Sequence, residues 1–234
     1  QIEINTFIQV NLKKLTNKTF SKKYISQYIT PIIKNINNSE HKKFIIAGSQ
    51  GAGKSTLAKL FKLVLENRYK KKVMLLSIDD YYLSKNKRIK LSKKIHPLLS
   101  TRGVPGTHDI VALKNDIINF QTKNFPITTP IFNKLKDDTS IKKKIIKNAE
   151  ILLLEGWCCG TPSINTKYLF QNINRVETLL DKNKKWRQYY NSQLKMNYKK
   201  VFSLFDQQIY IEPPSFNYVL KWRYTQEKNN ALKS

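Results

Sequence analysis

Apolar residues follow two rhythms along the chain. Continuous short runs occur at Phe44-Ile45-Ile46-Ala47, Val73-Met74-Leu75-Leu76-Ser77-Ile78, Ile151-Leu152-Leu153-Leu154 and Ile209-Tyr210-Ile211. Unbroken runs of that length are what the strands of a parallel sheet covered on both faces require. Between them the spacing changes to three and four. Leu57, Leu60, Phe61 and Val64 form one buried helix face, and Trp186, Tyr190, Leu194, Tyr198, Val201 and Phe205 mark a long amphipathic helix. Ile110 to Gln121 reads as a helix capped by Thr107 or Asp109, and Phe216, Val219, Leu220 and Arg223 open a last one. Ahead of the first run, residues 2–38 look helical, with Ile4, Phe7, Ile8 and Leu12 on one face and then Tyr24, Ile25, Tyr28 and Ile29. Pro31 is expected to kink or interrupt the second segment. Ser84 to Lys94 shows no firm period, and Pro126 to Lys134 holds two prolines among short β-prone runs.

Strands alternating with helices predict an α/β fold, doubly wound around a parallel sheet. No internal repeat and no linker divides the chain. The expectation is one domain over residues 1–234, with residues 1–42 as a helical extension packed on its core.

The first strand ends in Gly48-Ser49-Gln50-Gly51-Ala52-Gly53-Lys54-Ser55, with Thr56 following. This is the phosphate-loop pattern, and strand, glycine-rich turn and helix come in the order it demands. A turn without Cβ atoms lets successive N–H groups face a phosphate above the positive end of the helix. Lys54 would reach the β/γ-phosphates of ATP and the Ser55 hydroxyl would hold Mg²⁺.

The chain has 234 residues, with 43 basic against 16 acidic and a formal charge of +27. Such a charge raises the question of a nucleic-acid partner and of an ATPase that acts on it. Only Arg68, Arg88, Arg102, Arg175, Arg187 and Arg223 are arginines, however, and the lysines lie scattered as pairs and triplets with no nucleic-acid motif. The expectation is therefore a solvated basic surface that favours ATP and an anionic substrate, with no nucleic acid bound. Cys158 and Cys159 are adjacent and lack metal-ligand spacing, which points to a reducing, cytoplasmic setting. No apolar run approaches the ~20 residues of a membrane span, so no membrane partner is expected. The chain opens at Gln1 rather than methionine, which leaves a removed organelle-targeting segment open.

Glycine usage narrows the site. The seven glycines lie in the phosphate loop, in the loop Arg102-Gly103-Val104-Pro105-Gly106-Thr107-His108-Asp109, or after the third strand at Gly156 and Gly160. These three places are expected to form one site. Asp79, at the end of the second strand, is placed to take a proton from an acceptor hydroxyl, with Asp80 the weaker candidate. Glu155 ends the third strand, as an acid binding Mg²⁺ through water would; a buried acid paired with lysine is the alternative. Arg102 suits a carboxylate, because a planar guanidinium binds one bidentately where lysine cannot; a turn-stabilising role is the alternative.

Ser77-Ile78-Asp79-Asp80-Tyr81-Tyr82-Leu83, the Arg102–Asp109 loop, Leu153-Leu154-Glu155-Gly156-Trp157 and Tyr218-Val219-Leu220-Lys221-Trp222-Arg223-Tyr224-Thr225-Gln226-Glu227 together resemble the D-glycerate 3-kinase family. Its relatives are phosphoribulokinase, uridine kinase and pantothenate kinase. The resemblance runs from about residue 43 to 230 and implies a P-loop three-layer α/β/α fold with a mostly parallel five-stranded sheet. It implies transfer of the ATP γ-phosphate to a hydroxyl of D-glycerate, with Mg²⁺ held by Ser55 and Glu155. It makes Asp79 the base and places Asp80, Tyr82, Arg102, His108, Asp109 and Lys134 at the substrate. His108 either touches substrate or orients its loop. Lys221 and Arg223 either close over the phosphates or form a solvated helix face. Where the family has Asp-Lys-Ser, this chain has Asn133-Lys134-Leu135, and the following Gly-x-Gly-Asp-Arg segment is absent. That departure leaves another hydroxylated metabolite, such as a nucleoside or pantothenate, open as the acceptor.

Overall fold

The computed structural model describes residues 2–231, with side chains to residue 225. Helix α1 (Ile2–Thr16) is followed by α2 (Lys22–Tyr24), which runs through one wide π-type turn (Ile25–Ile29) into α3 (Thr30–Asn38). Strand β1 (Lys43–Gly48), α4 (Lys54–Arg68), β2 (Val73–Ser77), α5 (Lys85–Lys94) and α6 (Ile110–Gln121) come next. Four short strands follow: β3 (Ile127–Thr129), β4 (Phe132–Asn133), β5 (Asp138–Thr139) and β6 (Lys144–Ile146). Then come β7 (Ile151–Gly156), α7 (Arg175–Leu180), α8 (Lys185–Gln193), a second π-type turn (Leu194–Tyr198) and α9 (Lys199–Phe202). Strand β8 (Gln207–Ile211) and α10 (Phe216–Ala231) complete the order. No described helix is long and apolar enough to cross a membrane.

The chain divides into two units. One contains the residues up to Ser77, Asn148–Cys159 and the residues from Phe205 onward; the other contains Ile78–Lys147 and Gly160–Leu204.

The first unit is built on a parallel sheet of order β2-β7-β1-β8. Phe44 stands opposite Leu153 and Gln207, and Leu75 opposite Leu153 on the other side of β7. The inner strands β7 and β1 are the continuous apolar runs, buried throughout β7. Ile8, Leu12, Ile25, Ile29, Ile33 and Ile36 from the N-terminal helices share one core with Phe61, Val64 and Leu65 of α4 and with β1 and β7. Pro31 sits in the first turn of α3, where its missing N–H is tolerated, and the preceding turn widens to a π-type turn instead of breaking the helix.

Among the described residues this sheet has four strands, one fewer than the resemblance implies. The remaining β-prone runs pair with each other, β3 with β6 and β4 with β5, both antiparallel. They are two or three residues long, and β3 is buried only on alternate positions, which suits a hairpin rather than the middle of a parallel sheet. The mostly parallel sheet with helices around it is the P-loop α/β architecture.

The second unit also holds helix α5, which the spacing of apolar residues does not show. Ser84 caps it by accepting from the Lys87 amide at 3.3 Å, and its one fully buried side chain is Arg88. A helix that buries a guanidinium instead of a leucine carries no apolar period.

Candidate active site

In the first unit, β1 delivers the chain into the phosphate loop and α4 leaves it. Gly51 and Gly53 have φ of 79° and 88°, left-handed conformations that cost an L-residue energy. A Cβ on Gly51 would lie 2.7 Å from Cβ of Trp222, so α10 passes close over the loop and carries Lys221 and Arg223 with it. Lys54 opens α4; its side chain is buried and its ammonium folds back to donate to the Ser49 carbonyl at 2.6 Å. The Ser49 hydroxyl is buried with no hydrogen-bond partner. An orphaned hydroxyl, a folded-back ammonium and the N-terminal amides of α4 together fit a polyphosphate. Glu155 is 7 % exposed on β7, opposite Ile46 of β1 and Ser77 of β2. With the exposed Ser55 hydroxyl, it offers the sparse oxygen set that suits an Mg²⁺ completed by phosphate and water. Among the described residues no cluster of three or more His, Cys, Asp or Glu could hold a metal without such help. Gln226 and Glu227, part of the matched C-terminal motif, lie outside the residues whose side chains are described.

In the second unit, Asp79 and Asp80 open a short 3-10 turn (Ile78–Tyr81) directly after β2 in the chain. The Asp109 amide donates to the Tyr81 carbonyl at 2.6 Å and the Leu83 amide to the Thr107 carbonyl at 2.9 Å. Those two bonds stitch the Arg102–Asp109 loop to the acidic turn. Burial alone would push the Asp79 carboxyl up, but the Lys134 ammonium at 2.8 Å outweighs it and holds the group below the ordinary carboxylate range. Asp79 is thus ionised at neutral pH. Asp80 accepts from the Phe132 amide at 3.2 Å, and burial raises it instead.

His108 is buried and stacks on the Tyr82 ring, with ring centres 4.3 Å apart. Burial pushes its pKa down to about 3, so the imidazole is neutral at physiological pH. Its Nδ1 lies 2.6 Å from the Tyr198 hydroxyl, and the Gly106 amide donates to that hydroxyl at 2.8 Å. Gly106 also admits a second aromatic ring, because a Cβ there would lie 2.5 Å from a Tyr189 ring carbon. Asp109 caps α6, its carboxylate accepting from the Ala112 amide at 3.0 Å.

Arg102 pairs with the Asp137 carboxylate. Asp137 also receives the Arg88 guanidinium at 2.6 Å on its other oxygen, and Arg88 further donates to the Ser100 and Leu83 carbonyls. Arg88 is fully buried, whereas the Arg102 side chain is 30 % exposed. Two guanidinium groups share one carboxylate, so a cation on the Arg102 side is left with capacity for a second anion. The hairpin formed by β4 and β5 thus supplies a partner to Asp79 through Lys134 and to Arg102 through Asp137.

The structure places Lys54, Ser55, Glu155 and Arg223 in the first unit, and Asp79, Asp80, Tyr82, Arg102, His108, Asp109 and Lys134 in the second. Reading by motif misses Asp137, Arg88 and Tyr198. Arg88 had one signal, an isolated arginine in a lysine-rich stretch. Tyr198 had none, since it sits at a position that reads as an ordinary apolar helix face.

No protein-family model matches the chain. The uncharacterized kinase mug58 of Schizosaccharomyces pombe is 30% identical over 206 residues, which cover 81% of this chain and 70% of that protein. The chloroplastic D-glycerate 3-kinase of Arabidopsis thaliana is 27% identical over 190 residues, 76% of this chain and 39% of that one. The solved structure of D-glycerate 3-kinase from Cryptococcus neoformans superposes with a TM-score of 0.71 at 23% identity, covering 100% of this chain and 81% of that one; at that identity the likeness is one of fold.

Proposed function

The chain belongs to the P-loop kinase family that includes mug58 and resembles D-glycerate 3-kinase, and from that premise we propose that it transfers the γ-phosphate of ATP to a hydroxyl of D-glycerate. It is an ATP-dependent kinase. We take residues 1–234 as one kinase domain, and a reducing, cytoplasmic setting fits the two buried thiols Cys158 and Cys159.

One observation carries the choice of acceptor. The loop stitched to the turn that carries the ionised Asp79 presents a partly exposed guanidinium, Arg102, that shares its carboxylate with a buried arginine. A small alcohol bearing a carboxylate matches that pair of groups: its anion goes to Arg102 and its hydroxyl to Asp79. In the proposed reaction Asp79 takes the hydroxyl proton, the oxygen attacks the γ-phosphorus, and ADP leaves. Lys54 and the loop amides hold the β- and γ-phosphates, and Arg223 on α10 adds a charge to them. Ser55 and Glu155 would hold Mg²⁺, which supplies neutralisation of phosphate charge. Asp80, Tyr82, His108, Asp109 and Lys134 shape the acceptor side.

ADP release from Mg-ATP, measured across D-glycerate, nucleosides and pantothenate, tests this. D-glycerate is expected to accelerate turnover most, and Lys54→Ala to remove the stimulated rate. Stimulation by pantothenate or a nucleoside instead would refute the acceptor and keep the kinase; stimulation only by nucleic acid would refute both.

A further inference from the structure

Among the groups of the acceptor side, one buried polar atom has no partner yet. His108 Nε2 is buried and has no hydrogen-bond partner, while the other ring nitrogen is tightly engaged. An unmet nitrogen of this kind is costly to bury and in native proteins points to a ligand or to ordered water. The ring is held between two aromatic neighbours. It stacks on Tyr82 and meets the Tyr198 ring edge-on at 5.9 Å between centres. Asp79 is near enough to act on it electrostatically.

The Tyr198 contact bears on which nitrogen carries the hydrogen. The Gly106 amide donates to the Tyr198 oxygen, so that oxygen is already an acceptor on one side. A phenol that donates across this contact to His108 Nδ1 leaves the neutral imidazole with its hydrogen on Nε2. We propose that Tyr198 is a positioning residue that locks His108 in the Nε2–H form, and that this N–H donates to the oxygen of the acceptor substrate beside Asp79. Resting on the kinase reading above, this gives the acceptor oxygen two fixed partners. Asp79 receives its proton and His108 donates to a lone pair the attack does not use, so the reactive lone pair is oriented. The donor needs no change of charge, which suits a ring kept neutral. The substrate class it serves is any small alcohol or carboxylate oxygen; it gives nothing to a cation.

The test has a spectroscopic arm and a kinetic arm, both on the full chain. Long-range ¹H–¹⁵N spectra separate the tautomers of His41, His96 and His108 without any substrate. His108 is expected with its hydrogen on Nε2 and with no titration between about pH 5 and 8, and Tyr198→Phe is expected to mix the two tautomers. In kinetics, His108→Gln, whose amide reaches the Nε2 position, should keep acceptor KM within about three-fold, and His108→Leu should raise it roughly ten-fold or more. Tyr198→Phe should raise acceptor KM several-fold and leave ATP KM unchanged. A hydrogen found on Nδ1 in the wild-type protein overturns the proposal, and so does a Tyr198→Phe protein that melts lower but keeps its tautomer and KM. Should Tyr198→Phe fail to fold, the wild-type spectrum and the Gln and Leu pair still decide. Failure of D-glycerate in the turnover panel leaves the tautomer result standing, so the two readings fail separately.

Discussion

Substitution of Gly51 by alanine probes how the phosphate loop and α10 depend on each other. Two costs can be worked from the geometry. At φ 79° an alanine pays the left-handed backbone penalty, about 1–2 kcal/mol. Its Cβ would also meet Trp222 Cβ at 2.7 Å and the Trp222 carbonyl carbon at 3.3 Å, an overpacking of about 1–3 kcal/mol if nothing moves. Helix α10 exposes Phe216, Leu220 and Tyr224, so it yields more readily than the buried β1 and α4 that hold the loop. The second cost should therefore appear as displacement of α10 rather than as global destabilisation. For a chain of this length the expected fall in Tm is about 2–8 °C, from the backbone term alone. ATP affinity should weaken roughly ten-fold, the scale of one charged contact, because Arg223 moves with the helix. Calorimetry and ATP titration give both numbers. A companion pair sharpens the reasoning: the atom met is Trp222 Cβ, so Trp222→Ala in the Gly51→Ala background leaves the clash, whereas Trp222→Gly relieves it and should restore most of the affinity. A Gly51→Ala protein with unchanged Tm and ATP affinity, or equal recovery with both second substitutions, would refute this account.

Four further outcomes follow from the site and its surroundings. Asp79→Asn should lower kcat by about 10²–10⁴-fold while leaving ATP affinity within a few-fold; loss of ATP binding instead would move Asp79 to a metal role. Arg102→Lys and Arg102→Gln should each raise acceptor KM, by roughly ten-fold or more for Gln, with a smaller change in kcat, since a point charge cannot replace the fork. Arg187 is buried with Glu177 and Asp181 and donates to the Leu169 and Asp181 carbonyls, so Arg187→Met strands two carboxylates and should cost about 3–5 kcal/mol, read as a fall in Tm of about 6–20 °C. Asp79 has a folded-state pKa below its ordinary 3.8, so the stability it contributes is present above that value and is lost as pH falls through the lower one. The Tm gap between wild type and Lys134→Met should accordingly be widest near neutrality and close below about pH 3.8; a gap that stays constant to pH 2 would sink the pairing.

The central elements were legible because each expresses a single local rule. Continuous apolar runs suit strands buried on both faces, so β1, β2 and β7 appear at the runs that begin with Phe44, Val73 and Ile151, while β8 contains the run from Ile209 but is an edge strand exposed at alternate positions. The phosphate loop was legible for the same reason: its backbone geometry needs glycine at fixed places, and Gly48 and Gly53 do adopt positive φ. Elements whose buried face is polar were not. Helix α5 hides behind Arg88, whose guanidinium donates to Ser100, Leu83 and Asp137, a set the local window does not connect. Of the two caps considered for α6, Asp109 is the one used, and Thr107 instead bonds within its own loop to the Val104 carbonyl.

By itself, then, the sequence determined the α/β class, the nucleotide loop and the identity of the acids that follow the strands, all consequences of neighbours within a few residues. The partners of those groups were decided only in three dimensions. Nothing local says that Lys134 meets Asp79 across 55 positions, that Asp137 joins Arg88 to Arg102, or that Tyr198 reaches His108 from 90 residues away. Charge state, tautomer and exposure are set by such long-range contacts, because the electric field and dielectric at a side chain come from whatever surrounds it in space. The sequence therefore names the reacting groups, and the packing decides the condition in which each is held.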